Sequence, residues 1–286
     1  MAVPFEIVGI FGTRAGGGSP LAVVHDADDL DTTEMQWIAG RMRVDETVFV
    51  LKPTVPEATY RVRVFTPRAE SPYGGHSAVG TAVSMVRSGR VSAGEVVQQC
   101  GGKLLRLRAD ADRAVVTATG PQPLQSLPAG PVLDTVGLTK EDLDGEPVLA
   151  GFGPLFRLVP VRAEALAAAR PDFAAMDRAG LPEVFLFAWD EARRIVTARL
   201  FAPGWAIPED PACGSVALAL GAWLGSRTPA GTARTFRIEQ GREMQRPALL
   251  ECTVAVGDDG ALTATTGGEA PVELTGEITG GPLSAR

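Results

Sequence analysis

The sequence predicts an α+β fold of two pseudo-symmetric domains, and three observations lead there. Short alternating or β-branched runs are interleaved with helical stretches along the whole chain. A block of the first half recurs in the second. RVRVFTP (61–67) falls on TARLFAP (197–203), and ETVFV (46–50) on PEVFL (182–186), both at an offset of 136. Three extra residues then move the offset to 139, where ESPYGGHSAVG (70–80) overlays EDPACGSVALA (209–219). Each copy reads strand, strand, acid-x-Pro, glycine, then a helix of small residues, and such self-similarity marks a duplicated unit. In this alignment Glu46 falls on Pro182, so the symmetry is expected to break there.

The elements follow in order. FEIVGIF (5–11) and LAVVHD (21–26) read as strands on either side of a glycine-rich turn. DTTEMQWIAGRM opens with Asp31 and has Glu34 three residues on, a capping-box pattern with Met35, Ile38 and Met42 on one face. ETVFVL (46–51) and YRVRVFTP (60–67) are strands, and SAVGTAVSMVRSG is a helix ending at Gly89. VVQQC, KLLRLRAD and RAVVTAT form a meander. The proline-rich, least periodic stretch 120–138 is the expected connection between domains spanning 1–122 and 123–286, whose last strands could return to the first domain. Beyond it, EALAAARPDFAAM is helical, EVFLFAW and RIVTARLFAP are strands, and GSVALALGAWLGS is a buried helix before a closing β-rich region.

The bulk properties bound the function. An apolar share of 45% against 21% charged residues is the profile of a globular protein with a real core. A net charge of −7, with no run of lysines or arginines, argues against a nucleic-acid partner. Cys100, Cys213 and Cys252 form neither a disulfide framework nor a zinc-binding pattern. The N-terminus lacks the basic, apolar pattern of a signal peptide, and no apolar run is long enough for a membrane helix. A cytoplasmic location is expected. GTRAGGGSP leads into a strand instead of opening a helix, so it is no dinucleotide fingerprint.

The repeat sets Gly74-Gly75-His76 in one domain against Cys213-Gly214-Ser215 in the other, each at the mouth of a helix. A helix N-terminus offers main-chain N–H groups and a partial positive charge to an anion, and glycine lets a ligand approach closely. Two such ends would hold a small carboxylate and stabilise an enolate as it forms. The plainer reading is that the glycines only permit tight strand-to-helix turns. Their occurrence in both copies, followed each time by a polar residue, favours function.

RAGGGSPLAVV, VDETVFV, FTPRAESPYGGHSAVGTA and PEDPACGSVALA resemble, in order and spacing, the phenazine-biosynthesis PhzF-like isomerase family. The resemblance runs from the first strand to the last. It implies a diaminopimelate epimerase-like fold, each domain a mixed sheet curled around a central helix, and a cofactor-free active site between domains; the residues themselves show no metal-binding spacing around His76. It also implies a homodimer. By position, Glu46 matches the family's general acid/base, with His76 and Asp210 as its polar catalytic partners. Ser19, Gly74, Gly75, Cys213, Gly214 and Ser215 match its substrate-binding positions. The residues agree for Glu46: partial burial at the start of an apolar strand would raise a carboxyl pKa toward the range useful for carrying a proton.

The implied reaction is movement of a proton within a small carboxylate-bearing metabolite. Two other readings stay open: an epimerase using Cys213 with an opposing carboxylate, and a non-catalytic metabolite-binding protein. With Gly74 opposite Cys213, two-cysteine racemisation cannot operate, and free cysteine is commonly a packing residue. The chain also departs from the family pattern. Gly18-Ser19-Pro20 stands for a usual Gly-Asn-Pro, Cys213 for a common threonine, and Gln245 and Ala248 for a common glycine and serine.

Overall fold

The computed structural model describes residues 2–72, 74–75 and 77–280; His76 lies outside the described residues. The chain forms two compact units, one up to Val116 and again from Gly267 onward, the other Thr117–Thr266.

In the first unit β1 (Val3–Ile10) pairs antiparallel with β2 (Ser19–Val24). Helix α1 (Thr32–Met42) then brings β3 (Glu46–Leu51) parallel to β2. The capping box forms as expected: Asp31 accepts from the Glu34 N–H at 2.9 Å, and Glu34 accepts from the Asp31 N–H at 2.8 Å. β4 (Tyr60–Phe65) is antiparallel to β3, and the two-residue β5 (Glu70–Ser71) is antiparallel to β4. Helix α2 (Ala78–Arg87) follows, then β6 (Gly94–Cys100) parallel to β4 and β7 (Lys103–Ala109) antiparallel to β6. β8 (Arg113–Thr119) pairs with β7.

The second unit repeats that plan. After β9 (Gln125–Ser126) and α3 (Ala129–Val136), β10 (Val148–Ala150) pairs antiparallel with β11 (Phe156–Pro160). Helices α4 (Ala163–Ala168) and α5 (Phe173–Arg178) lead to β12 (Val184–Asp190), parallel to β11. β13 (Ile195–Ala202) and β14 (Ile207–Asp210) continue antiparallel. Helix α6 (Gly214–Gly225) precedes β15 (Thr232–Gln240), parallel to β13, and β16 (Ala248–Val256), antiparallel to β15. After β17 (Leu262–Glu269), β18 (Val272–Ile278) pairs antiparallel with β1. From β1 to β7 and from β10 to β16 the pairings run in one order: antiparallel, parallel, antiparallel, antiparallel, parallel, antiparallel.

Each sheet packs on its helix. Nearly every residue of α6 is buried, and α2 is buried from Ala78 to Met85. At Gly80 a side chain would come within 3.0 Å of Ile10 and Leu21, so α2 lies directly on β1 and β2. This is the α+β, epimerase-like arrangement of a mixed sheet around a central helix.

Strand register corrects one sequence expectation. Phe65 pairs with Glu70 as Phe201 pairs with Glu209, matching the offsets of 136 and 139. Thr47, however, faces Phe65, whereas Val184 faces Phe201. The counterpart of Glu46 is therefore Glu183, not Pro182. Matching the letters VF is blind to a one-residue slip, which cross-strand pairing fixes.

Two other stretches differ from expectation. The 120–138 connection contains α3, because Pro128 and Pro131 lie at its cap and first turn, where the missing N–H costs little. The helix expected over 164–176 is two, since Pro171 cannot continue the first; Asp172 restarts the second by accepting from the Ala175 N–H at 2.9 Å.

His25 is a buried load on the first unit. It is 4% exposed, with Nε2 3.0 Å from Ser84 Oγ, and burial lowers its pKa to about 4. The unfolded chain takes up this proton near the ordinary 6.5, so stability present above that pH falls as pH drops toward 4. The expected loss is about 3 kcal/mol, read as a fall in urea midpoint between pH 7 and pH 4. A His25→Leu variant should flatten that part of the curve.

Candidate active site

Two arginine–glutamate forks hold the strand ends that lead into α2 and α6. Arg63 Nε and Nη2 donate to the two carboxylate oxygens of Glu70 at 2.7 and 2.6 Å. Arg199 does the same to Glu209, both at 2.9 Å. Each guanidinium also lies over the phenylalanine two residues on, Phe65 or Phe201. The hydrogen bonds from Arg63 hold the Glu70 carboxyl below its usual range. The first acid of each acid-x-Pro motif is thus committed to bidentate pairing that fixes the turn. The arginine was equally visible in the repeat, at the same place in RVRVF and TARLF.

In the second unit the turn after Glu209 carries four expected site residues. Asp210 is 1% exposed, and its Oδ1 accepts from the Ala212 N–H at 3.0 Å. Gln240 Nε2 donates to the Asp210 carbonyl at 2.6 Å, tying the turn to β15. Cys213, 4% exposed, stands in extended conformation at the cap position of α6. Gly214 and the half-buried Ser215 begin the helix. Gln245, where the family commonly has glycine, has φ 58°, the left-handed region in which glycine alone pays no steric cost.

In the first unit, pairing places two of the expected site residues on one face. Leu21 faces Glu46, so Ser19 and Glu46 share a side of the sheet. Val48 faces Val64, Tyr60 faces Gln98 and Val62 faces Cys100, which extends that side across β4 and β6. Leu21 touches Gly80, so this is the face α2 covers. Gly74, buried, and Gly75, half-buried, lie just before α2. Gln98 Nε2 donates to the Gly74 carbonyl at 2.9 Å. Ser19 is fully buried behind Gly18, whose φ of 68° and close approach to the Ile10 carbonyl demand glycine. Sequence reading missed Gln98 and Cys100. Their relation to Gly74 depends on a parallel pairing that no local pattern reveals.

The two structurally equivalent glutamates have different surroundings. Glu183 is 2% exposed and accepts from Arg157 at both Nη1 (2.9 Å) and the backbone N–H (3.2 Å). Burial raises its pKa, with the Arg157 charge opposing. Glu46 is half-buried at the start of β3, and register sets Ala22 where Arg157 stands in the other unit.

The phenazine biosynthesis-like protein (PhzC-PhzF) family model matches residues 8–276. The trans-2,3-dihydro-3-hydroxyanthranilate isomerase of Pseudomonas chlororaphis is 31% identical over 251 residues, covering 86% of this chain and 88% of that protein. A PhzF-family protein of Bacillus anthracis superposes with a TM-score of 0.85 at 22% identity, covering 97% of this chain and 99% of the other. A hydroxyproline epimerase of Agrobacterium vitis shares the fold, with a TM-score of 0.63 at 14% identity over 97% and 91% of the two chains. A family match from Val8 to Gly276, a duplicated mixed-sheet fold and named isomerases among the relatives converge: this chain belongs to the PhzC–PhzF phenazine biosynthesis-like family and is an isomerase.

Proposed function

We propose that this isomerase moves a proton between two carbons of one small, conjugated, carboxylate-bearing metabolite, with Glu46 as general acid/base. Glu46 takes a proton from an acidified carbon, and the electron pair of the broken C–H bond passes into the conjugated system. The same carboxyl returns the proton to another carbon. Atoms and electrons balance without an oxidant, a reductant or a cofactor. Main-chain N–H groups near Gly74–Gly75 and Cys213–Gly214–Ser215 hold the carboxylate and the enolate-like charge. Asp210 and His76 serve as polar partners, and Ser19 completes the substrate-binding set. The enzyme acts as a cytoplasmic homodimer.

The observation that carries this reading is the asymmetry between the duplicated glutamates. Glu183 is neutralised in the interior by Arg157, whereas Glu46 is half-buried on the α2 face, with Ala22 at the arginine's place. A half-buried carboxyl on this face keeps access to a ligand, as a general acid/base must.

The isomerase of Pseudomonas chlororaphis gives the substrate class to test: a cyclic amino acid with a conjugated carboxylate, an amino group on the next ring carbon and a hydroxyl on the one after. Incubation with trans-2,3-dihydro-3-hydroxyanthranilate, followed by proton NMR, should show the ring double bonds migrate. Absence of both conversion and calorimetric binding of that compound would overturn the substrate class.

A further inference from the structure

The first unit carries a thiol in a place the reaction above does not use. A side chain built on Gly74 would meet Cys100 Sγ at 2.9 Å, Cys100 Cβ at 3.0 Å and Gln98 Nε2 at 3.3 Å. The space beside the α2 mouth is thus already occupied by a side chain from β6. Cys100 is half-buried and so reachable, unlike the buried Cys213 and Cys252. Among the described residues its Sγ makes no hydrogen bond. Its counterpart by register, Gln240, spends its amide on the Asp210 carbonyl. In the first unit that support comes instead from Gln98, two residues earlier, which leaves the thiol uncommitted.

A second, independent observation points to a ligand. Gln98 is 1% exposed, and its Nε2 is bonded to Gly74 while its Oε1 has no partner among the described residues. A buried carboxamide oxygen left unsatisfied is costly, and a ligand donor can remove that cost. Gln98 Nε2 lies 3.3 Å from a side chain built on Gly74, so the carboxamide group sits at the same corner as the thiol. Burial, and after it the Glu46 charge, raise the Cys100 pKa, so near neutral pH the thiol is mostly protonated and serves as a contact surface and weak donor.

We propose that Cys100 is a ligand-contacting, specificity-determining residue: its thiol, with the Gln98 carboxamide beside it, forms the wall against which the part of the substrate next to its carboxylate packs. The inference rests on the carboxylate reading given above. The wall accepts a substituent that fits against sulfur and donates to an amide oxygen, such as a hydroxyl or an ammonium group. Enlarging Cys100 should narrow the choice of substrate without touching the proton transfer at Glu46.

The test is ligand protection. The native protein is treated at pH 8 with N-ethylmaleimide, with and without 3-hydroxyanthranilate, the aromatic counterpart of the tested substrate, and its three cysteine peptides are quantified by mass spectrometry. Cys213 and Cys252 are the internal controls for unfolding. At a ligand concentration ten times the calorimetric Kd, Cys100 labelling should slow about tenfold. Cys100→Val should raise KM by about tenfold with kcat within about threefold, and the smaller Cys100→Ser should change KM less. Calorimetric binding with undiminished Cys100 labelling would overturn the wall. Absence of binding would instead overturn the carboxylate reading beneath it.

Discussion

Glu46→Gln should lower isomerisation by about 10²–10⁴-fold, the usual contribution of a positioned general acid/base. The glutamine keeps the size and most hydrogen-bonding capacity of the side chain but cannot carry a proton at any useful pH. Ligand affinity measured by calorimetry should change little, because in the proposed mechanism main-chain amides, and not Glu46, hold the carboxylate. The loss should therefore fall on kcat, with KM nearly preserved. A variant with turnover within a few-fold of the native enzyme would remove Glu46 from the chemistry.

The second large effect is on stability. Arg157→Ala would strip the cation from a carboxylate that is 2% exposed, and such an uncompensated buried charge costs about 3–5 kcal/mol. The sign of its pH dependence follows from the raised pKa of Glu183, which the lost arginine would raise further. A carboxyl with a raised folded-state pKa favours folding when protonated and opposes it when ionised. The Tm gap between Arg157→Ala and the native protein should be widest near pH 7 and should narrow on acidification toward the ordinary carboxyl range. Adding Glu183→Gln to Arg157→Ala should recover part of the loss at pH 7. Equal Tm gaps at every pH would show that the variant suffers from lost packing alone.

Much of the fold was legible in the sequence because the duplicated elements keep local signals. The Asp31–Glu34 capping box, the alternation of YRVRVF and the small-residue helices after acid-x-Pro all lie within a few residues of one another. Glu46 and Asp210 could be named as candidates because the motifs around them, VDETVFV and PEDPACGSVALA, resemble the family's. What escaped depends on long-range pairing. Glu183 was hidden because a one-residue slip in register leaves no trace in the letters, and Arg157 reaches it from a separate strand, 26 residues away in sequence. Gln98 and Cys100 reach the Gly74 turn only through the parallel pairing of β4 with β6. The three-residue β10 lies in a stretch too short for any period to show.

The central claim is that one carboxyl carries hydrogen between atoms of the same molecule. Its most direct test is reaction of trans-2,3-dihydro-3-hydroxyanthranilate in D₂O, with NMR locating any deuterium in the product and in recovered substrate, for native protein and Glu46→Gln in parallel. Native protein should yield isomer labelled at one ring carbon, or unlabelled if the proton is returned before it exchanges, while Glu46→Gln yields neither isomer nor label. Isomerisation by Glu46→Gln at the native rate would contradict the account.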